Sequence, residues 1–256
     1  MEMNLYGCHV PKMEQDGSIK YDRYAFSRTG WSCTQTKNEE TGEIKRADYS
    51  YVFTETMPMI EGTKTELDSI KKYGGFYIGR YEVGIVDYDT NVVTSNSNKE
   101  TEWTGYSNGK AVVQRDKQVW NYITRDKAKK VAEGMYANNE AVISRLCSSY
   151  AWDTALKFIE TKNEGYATNS EGDNYSKTLK HTGMGSTPRN NIYDMGGNVW
   201  EWTTEACSYR DSPCTLRGGI YNSSASGCPA GHRNNGFSQT HADDYLGSRL
   251  TLYVGL

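Results

Sequence analysis

The stretch YDMGGNVWEWTTE (193–205) constrains the fold more than any other part of the chain. Its Gly-Gly pair permits a tight turn, and the two tryptophans that follow carry large apolar surfaces that a folded protein buries. A buried corner accounts for the glycines and the rings. It does not account for Asp194 and Glu201, because a carboxylate removed from water needs a partner. The stretch therefore predicts a tight turn leading into the core, with a specific task for its two acids.

The bulk properties exclude several classes of protein. A length of 256 residues suits one large domain or two small ones. Mean hydropathy is low at −0.77, yet 20 Tyr and 6 Trp provide rings for a core. The net charge of −3 and the scattered basic residues predict no nucleic-acid binding. No apolar run is long enough to span a bilayer, so we expect no membrane insertion.

The start of the chain and the cysteines bear on its location. The opening MEMNLYGCHVPKMEQDGS has neither a basic nor an apolar signal region. We therefore expect no signal peptide, which is compatible with a phage virion or the cytoplasm. The six cysteines show no metal-binding spacing. Cys207 and Cys214 could close a short disulfide loop, whereas the lack of an export signal favours free thiols.

Two segments have the pattern of amphipathic helices. In 124–136 and in 145–160, apolar residues recur at helical spacing. Thr124 and Ser148 precede these runs and are suitable N-caps. A single helical turn is expected near 65–73. Both apolar stripes are more typical of core packing than of cofactor contacts.

The remaining chain is irregular, with a few short strands. Alternation in 74–84 predicts a half-buried strand, and 247–256 predicts a strand that closes a sheet. The polar segment 85–118 is typical of a solvated loop, and 161–191 has almost no aliphatic residues. Helices embedded in Gly-rich irregular chain with short strands predict a compact α+β domain.

Four stretches in order resemble one family. They are FYIGRYEVG (76–84), SRLCSSYAWDTAL (144–156), IYDMGGNVWEWT (192–203) and LRGGIYNSSASGCPAGHR (216–233). Together they resemble the formylglycine-generating enzyme (sulfatase-modifying factor) family. The resemblance implies a C-type-lectin-like α+β fold, with two helices around short antiparallel strands and much irregular structure. It assigns 71–256 to this domain and leaves 1–70 as an N-terminal extension for attachment, for oligomerisation or as an embellishment of the fold.

The same resemblance implies a structural calcium ion at the Gly-Gly turn. Its ligands would be the carboxylates of Asp194 and Glu201 and the carbonyls of Gly197 and Val199. The chemistry is reasonable, because calcium prefers six to eight oxygen ligands. The alternative is a metal-free corner in which Glu201 binds backbone amides.

The resemblance also bears on catalysis. Catalytic members of the family oxidise a substrate cysteine with a copper-binding cysteine pair just after Arg-Gly-Gly. Here Ser223 stands near the place of the first cysteine, and the second has no counterpart. Hydroxyl groups cannot replace the soft thiolates that copper(I) needs, so we expect no enzyme activity. The alternatives are a copper-dependent oxidase and a sugar-binding lectin, although the Glu-Pro-Asn and Gln-Pro-Asp tripeptides of sugar-binding lectins do not occur.

The segment 217–249 has the composition of a binding surface. It contains no Lys, Glu, Met or Trp and is rich in Ser, Asn, Gly, Tyr, His and Asp. Tyr for contact area, with Ser, Gly and Asn for adaptable hydrogen bonding, is typical of a paratope. The composition also resembles the variable proteins of diversity-generating retroelements, in which rewritten Asn codons never give Lys, Glu, Met or Trp. The alternative is an ordinary polar loop.

We therefore predict a non-catalytic protein with a diversified C-terminal ligand-binding surface, as in phage tail adhesins. The partner would be a protein or a cell-surface ligand, and the chain could form a homo-oligomer. Tyr221 and Tyr245 are expected to be the main anchors. Arg217, Arg233 and Arg249 are expected to belong to the scaffold, paired with buried acids or carbonyls. The predicted contact residues are Tyr221, Asn222, Ser223, Ser224, Ser226, His232, Asn234, Asn235, Ser238, His241 and Tyr245.

Overall fold

The structure is a computed structural model that describes residues 63–87, 109–206 and 214–255, together with short strands nearer the start of the chain. Those early strands are β1 (Pro11–Met13), β2 (Ile19–Tyr21), β3 (Gln35–Lys37), β4 (Ile44–Arg46) and β5 (Thr56–Met57). The later strands are β6 (Tyr77–Ile78), β7 (Gly84–Val86), β8 (Lys110–Val112), β9 (Gln118–Val119), β10 (Val142–Leu146), β11 (Trp200–Ala206), β12 (Cys214–Arg217), β13 (Arg233–Phe237), β14 (Leu246–Ser248) and β15 (Leu250–Val254).

The described residues form three helices, which are α1 (Thr63–Tyr73), α2 (Arg125–Gly134) and α3 (Ser149–Glu160). The two predicted helices and their N-caps are confirmed. The Thr124 hydroxyl accepts the Lys127 amide at 3.2 Å, and the Ser148 hydroxyl accepts the Ala151 amide at 3.1 Å. None of these helices has the length and apolar character needed to cross a membrane.

Helix α1 corrects the expectation of two helices, because it extends well beyond the single turn predicted there. Its stability comes from tertiary packing. Ile70 is buried against Tyr253 of β15, and the Ser69 hydroxyl donates to the Val254 carbonyl at 2.9 Å. The predicted domain boundary between residues 70 and 71 falls inside this helix.

Strand β15 lies at the centre of a sheet with the order β10-β15-β6. It pairs antiparallel with both neighbours, which confirms that the C-terminal segment enters a sheet. The single strand predicted over 74–84 is instead divided between β6 and β7, and β7 belongs to another sheet, β8-β7-β9. Near the start of the chain the sheets are β1-β2-β5 and β3-β4. Of the predicted loop 85–118, residues 88–108 lie outside the described part.

A four-stranded sheet, in the order β13-β12-β11-β14, positions the C-terminal segment. Glu201 of β11 lies opposite Arg217 of β12 on one side and opposite Gly247 of β14 on the other. The β11–β14 pair is parallel, which corrects the expectation of purely antiparallel strands. A parallel return needs a long connection, and the chain from β12 to β14 supplies it.

The tryptophans of the core tie the elements together. Trp152 of α3 and Trp202 of β11 are both fully buried. The Trp202 indole donates to the Ile123 carbonyl at 2.7 Å, and the Trp152 indole donates to the Ala230 carbonyl at 2.8 Å. Buried indoles need such acceptors. With its three helices packed on mainly antiparallel sheets, the described chain is an α+β fold, as predicted.

Candidate functional site

Two buried arginines hold the C-terminal segment on helix α3. The Arg217 guanidinium is fully buried, and its Nη2 lies 2.5 Å from Oδ1 of Asp153. The Arg233 guanidinium binds the other oxygen of Asp153, and its Nε lies 3.2 Å from Oε2 of Glu205. The predicted pairing of scaffold arginines with buried acids is therefore observed.

Arg249 performs a similar task at the Gly-Gly turn. Its Nη2 lies 2.7 Å from Oε1 of Glu201, and its Nε donates to Oε2 at 3.1 Å. The same guanidinium donates to the carbonyls of Gly79 and Tyr193, both at 2.8 Å. One buried side chain thus joins β11, the turn and the chain after β6. Such a fork of donors is suited to a carboxylate.

The segment after β12 is fixed through its backbone. The Tyr221 amide donates to the Asn198 carbonyl at 3.0 Å, and its carbonyl accepts the Lys177 amide at 2.9 Å. The Ala225 carbonyl accepts the Ser170 amide at 3.2 Å. These bonds connect the segment to the loops around 170–177 and 198. They involve main-chain atoms, so they place no demand on which side chains the segment carries.

Gly219 is required by close backbone approach. A Cβ at this position would lie 2.1 Å from the Cys228 carbonyl oxygen, inside any permitted contact. That carbonyl also accepts the Tyr175 hydroxyl at 2.8 Å. The Arg-Gly-Gly turn therefore brings the two ends of the 219–228 loop into direct contact.

The structure places most of the predicted contact residues at the surface. We call the exposed and partly exposed side chains of residues 221–245 the display surface. Asn222, Ser224 and Ser226 are exposed. The side chain of Asn235 lies outside the described part. Those partly exposed are Tyr221, Ser223, Asn234, Ser238, His241 and Tyr245.

His232 does not lie on the display surface, because it is only 6% exposed. Its ring packs edge-on against Trp200 with 5.0 Å between centroids. It precedes the buried Arg233, and its carbonyl accepts Arg217 Nε at 3.1 Å. His241, by contrast, packs on Phe237. No group of three or more His, Cys, Asp or Glu side chains in the described ranges is arranged to hold a metal ion.

A cluster of tyrosines and acids at one end of the display surface was not predicted as a unit. The Tyr221 hydroxyl donates to Oδ2 of Asp244 at 3.2 Å. The Tyr122 amide donates to the Asp243 carbonyl at 2.8 Å. Partial burial, together with Asp243, raises the pKa of Tyr245 to about 12. Tyr122 belongs to a distant part of the sequence, so no local pattern pointed to it.

The residues predicted to bind calcium lie at a buried site that we call the acidic corner, formed by Glu82, Asp194 and Glu201. Asp194 has a φ of 55°, and its Oδ2 accepts the Gly183 amide at 2.7 Å. Its other oxygen, Oδ1, is buried and has no hydrogen-bond partner among the described residues. Glu201 directs both oxygens to Arg249. Asp194 therefore has a buried oxygen available for a cation, whereas Glu201 already has a cationic partner.

Glu82 is the member of the acidic corner that the sequence reasoning missed. Its Oε2 accepts the Asn198 side-chain amide at 2.6 Å, while its Oε1 is buried with no partner in the described part of the chain. Burial raises the pKa of Glu82 well above its usual range, and the charges of Asp194 and Glu201 raise it further. Three carboxyls thus face a single guanidinium, and two buried oxygens remain unsatisfied. The spare oxygens of Glu82 and Asp194 are the ones open to a cation, although no three carboxyls among the described residues are arranged as a metal site.

The sequence profile of the sulfatase-modifying factor enzyme 1-like domain matches residues 54–252, most of the chain. The chain belongs to this family. The match begins before α1, inside the predicted N-terminal extension, and ends in β15. The matched range includes the acidic corner, the display surface and the arginine framework, by which we mean the buried Arg217, Arg233 and Arg249 with the acids they bind.

Solved structures provide further comparisons. Variable protein 1 of Treponema denticola is 16% identical, with a TM-score of 0.43 over 86% of this chain and 94% of its own. PvdO from Pseudomonas aeruginosa is 13% identical, with a TM-score of 0.45 over 86% of this chain and 90% of its own. The U1 variant of Major Tropism Determinant is 16% identical, with a TM-score of 0.39 over 72% of this chain and 52% of its own. Comparison with curated proteins finds no match.

Proposed function

We propose that this protein is a non-catalytic binding protein whose display surface contacts a protein or a cell-surface ligand. One observation carries the proposal: the exposed Asn222, Ser224 and Ser226 project from a backbone that a buried framework holds in place. A binding surface on a rigid scaffold loses little conformational freedom when a partner binds. Functional loops on a fixed scaffold are common for this reason.

The division between framework and surface also supports diversification. The framework depends on the buried Arg217, Asp153 and Arg233, whereas the Ser224 hydroxyl makes only a local bond to the Gly227 amide at 3.1 Å. Exchange of an exposed side chain without long-range partners changes stability by about 0.5 kcal/mol or less. The composition of 217–249 resembles that of retroelement variable proteins, and rewriting of Asn codons gives most of its residue types; Gln239 is the exception and would be a fixed position.

The chemistry near Ser223 supports the absence of catalysis. A copper(I) centre needs soft ligands, and a serine hydroxyl is not one. Cys147 and Cys214 are fully buried in the core, which leaves Cys228 as the more accessible thiol among the described cysteines. A direct test incubates the protein with copper, oxygen and a cysteine-containing sulfatase peptide. We expect no aldehyde, and formation of formylglycine would instead establish the oxidase.

The binding proposal is tested with two matched libraries. The first randomises Asn222, Ser224 and Ser226, and the second randomises the buried polar residues Ser170, Asn198 and Thr215. We expect most members of the first library to resist protease like the parent and most of the second to be degraded. Members of the first library should also yield binders to a purified foreign protein. Equal loss of folding in both libraries, or no binders, would contradict the proposal.

Diversification has a separate test in the DNA around the gene. If the segment is diversified, a reverse transcriptase gene and a near-copy of the DNA that encodes 217–249 should lie beside this gene. Their absence would contradict diversification and leave binding itself to the library experiment.

The family resemblance and the unsatisfied oxygens of the acidic corner also support a structural calcium ion. The predicted ligands are Asp194, Gly197, Val199 and Glu201, and Glu82 is added here because of its spare oxygen. The ion would supply the positive charge that Arg249 alone does not provide to three carboxyls.

A further inference from the structure

A groove of about 770 Å³ lies beside helix α3 and shares no residue with the display surface. Strand β6, the residues that follow it, helix α3 and the loop at 190–192 form its walls. This volume is within the range typical of pockets for small organic ligands, roughly 300–1,000 Å³. Its apolar floor is formed by Ile70, Phe76, Ile78, Ala155 and Ile192.

Two large rings at the rim are unusually exposed. The side chain of Tyr77 on β6 is 68% exposed, and that of Phe158 on α3 is 55% exposed. Both line the groove. An apolar floor continuous with exposed rings forms a patch that a ligand could cover with a gain in free energy.

The charges of the groove have one sign. Arg80 and Lys157 are its charged lining residues, and no Asp or Glu lines it. Both are exposed, and neither forms an ion pair with an acid in the described part of the chain. The groove therefore favours an anionic group over a cationic one.

Three of the other polar lining residues already have hydrogen-bond partners, and Asn191 is the exposed amide that remains. The Thr154 hydroxyl donates to the Tyr150 carbonyl at 2.7 Å, and the Thr161 hydroxyl donates to the Phe158 carbonyl at 2.7 Å. The side-chain amide of Asn190 donates to the same Phe158 carbonyl at 2.7 Å. These bonds turn polar atoms toward the backbone, so the two cations and the neutral amide of Asn191 are the polar groups available to a ligand.

We infer that this groove binds an amphipathic anion, which is a molecule with an unbranched apolar chain and a carboxylate head. The chain would lie on the apolar floor between Tyr77 and Phe158, and the carboxylate would lie near Arg80 and Lys157. The inference is independent of the display surface, so its failure would leave the proposed function unchanged.

The test is calorimetric titration with three ten-carbon probes below their micellar concentrations. Decanoate is the anion, decanol is neutral and decyltrimethylammonium is the cation. We expect decanoate to bind about 2–5-fold more tightly than decanol, because an exposed charge pair contributes up to about 1 kcal/mol. The cation should bind most weakly. The double variant Arg80→Gln/Lys157→Gln should lose the preference for decanoate over decanol.

Phe158→Glu should reduce decanoate affinity at least 10-fold, since it places a carboxylate at the rim. Lys162→Gln, which removes an exposed cation just beyond α3, is the matched control and should bind like the parent. Equal affinity for all three probes would overturn the assignment of an anion. Absence of binding would overturn the site. A dimer that Phe158→Glu dissociates, seen by light scattering, would show that a second copy covers the groove and would also overturn the inference.

Discussion

Asp153 shows how much of this fold depends on single buried charges. One carboxylate from α3 serves two guanidinium groups from β12 and β13, and all three side chains are at most 2% exposed. The sequence could predict that Arg217 and Arg233 belong to the framework, because they flank a segment of exposed composition. It could not identify Asp153 as their shared partner, since its position on α3 gives no indication of the distant strands it contacts.

We expect Asp153→Ala to destabilise the protein by about 3–5 kcal/mol, because it removes the carboxylate shared by two buried guanidinium groups and leaves them only Glu205. Urea unfolding followed by tryptophan fluorescence measures the change. Glu164→Ala, which removes an exposed acid just after α3, is the control and should change stability by less than about 0.5 kcal/mol. A small effect at Asp153 would mean that the arginines do not depend on it.

Glu66 of α1 gives the fold a dependence on pH. Burial raises the pKa of its carboxyl to about 7, an effect that Ser148, Tyr253 and Arg145 oppose. In the unfolded chain this group titrates near 4.3–4.5. The folded state therefore holds the extra proton between about pH 4.5 and 7, and stability falls as pH rises through that window.

Glu66→Gln should remove this contribution, which is about 3 kcal/mol for a rise in pKa from 4.5 to about 7. Unfolding free energies of the parent and the variant, measured at pH 4.5 and pH 7.5, give the difference directly. The variant should lose less stability than the parent on going to pH 7.5. Parallel pH profiles would show that Glu66 ionises normally.

At the scale of elements, the sequence predicts those helices whose signals lie within their own residues. It does not predict features that depend on packing against distant parts of the chain. Helices α2 and α3 were identified because their caps and apolar spacing are contained in their own sequences. Helix α1 was expected as one turn because its main support, the packing of Ile70 on Tyr253, comes from the far end of the chain. His232 was expected at the surface for a similar reason: composition marks an exposed segment but not which of its side chains turn inward.

The turn after β12 offers a test at this scale. Gly219→Ala should destabilise the protein by about 1–3 kcal/mol or prevent folding, because the new Cβ would overlap the Cys228 carbonyl. Gly75→Ala is the matched control, since a Cβ there meets nothing within 4 Å. Thermal melts of both variants measure the difference, and Gly219→Ala should have the lower melting temperature. Equal melting temperatures would contradict the close approach of the two ends of this loop.

At the scale of the whole molecule, the proposed calcium ion would link several elements. Glu82 precedes β7, whereas Asp194 and Glu201 belong to the Gly-Gly turn and the strand β11 that follows it, and all three carboxyls are buried where their charges act on one another. An ion bound only by the native state would therefore stabilise the entire domain. At a concentration 100 times its dissociation constant, a ligand adds about 2.7 kcal/mol.

Removal of calcium with a chelator should lower the melting temperature by about 5–10 °C, given roughly 2–4 °C per kcal/mol for a domain of this size. Asp194→Asn should melt lower than the parent and respond little to the chelator. Elemental analysis of the purified protein should find one calcium per chain. Identical melts with and without chelator, together with no calcium, would favour a corner neutralised by protons and Arg249 alone.

The pairing of Glu201 with Arg217 on one side and Gly247 on the other has a consequence for how this protein can change over time. Both ends of the segment between them are attached to the same strand, about two strand spacings apart, or roughly 10 Å. The entropy of closing such a loop grows slowly, by about 0.6 kcal/mol for each doubling of its length. Insertions and deletions at the exposed Gln239 and Thr240, away from the backbone bonds of Tyr221 and Ala225, should therefore be tolerated, and descendants of this gene can differ in the size of the segment while keeping the same frame.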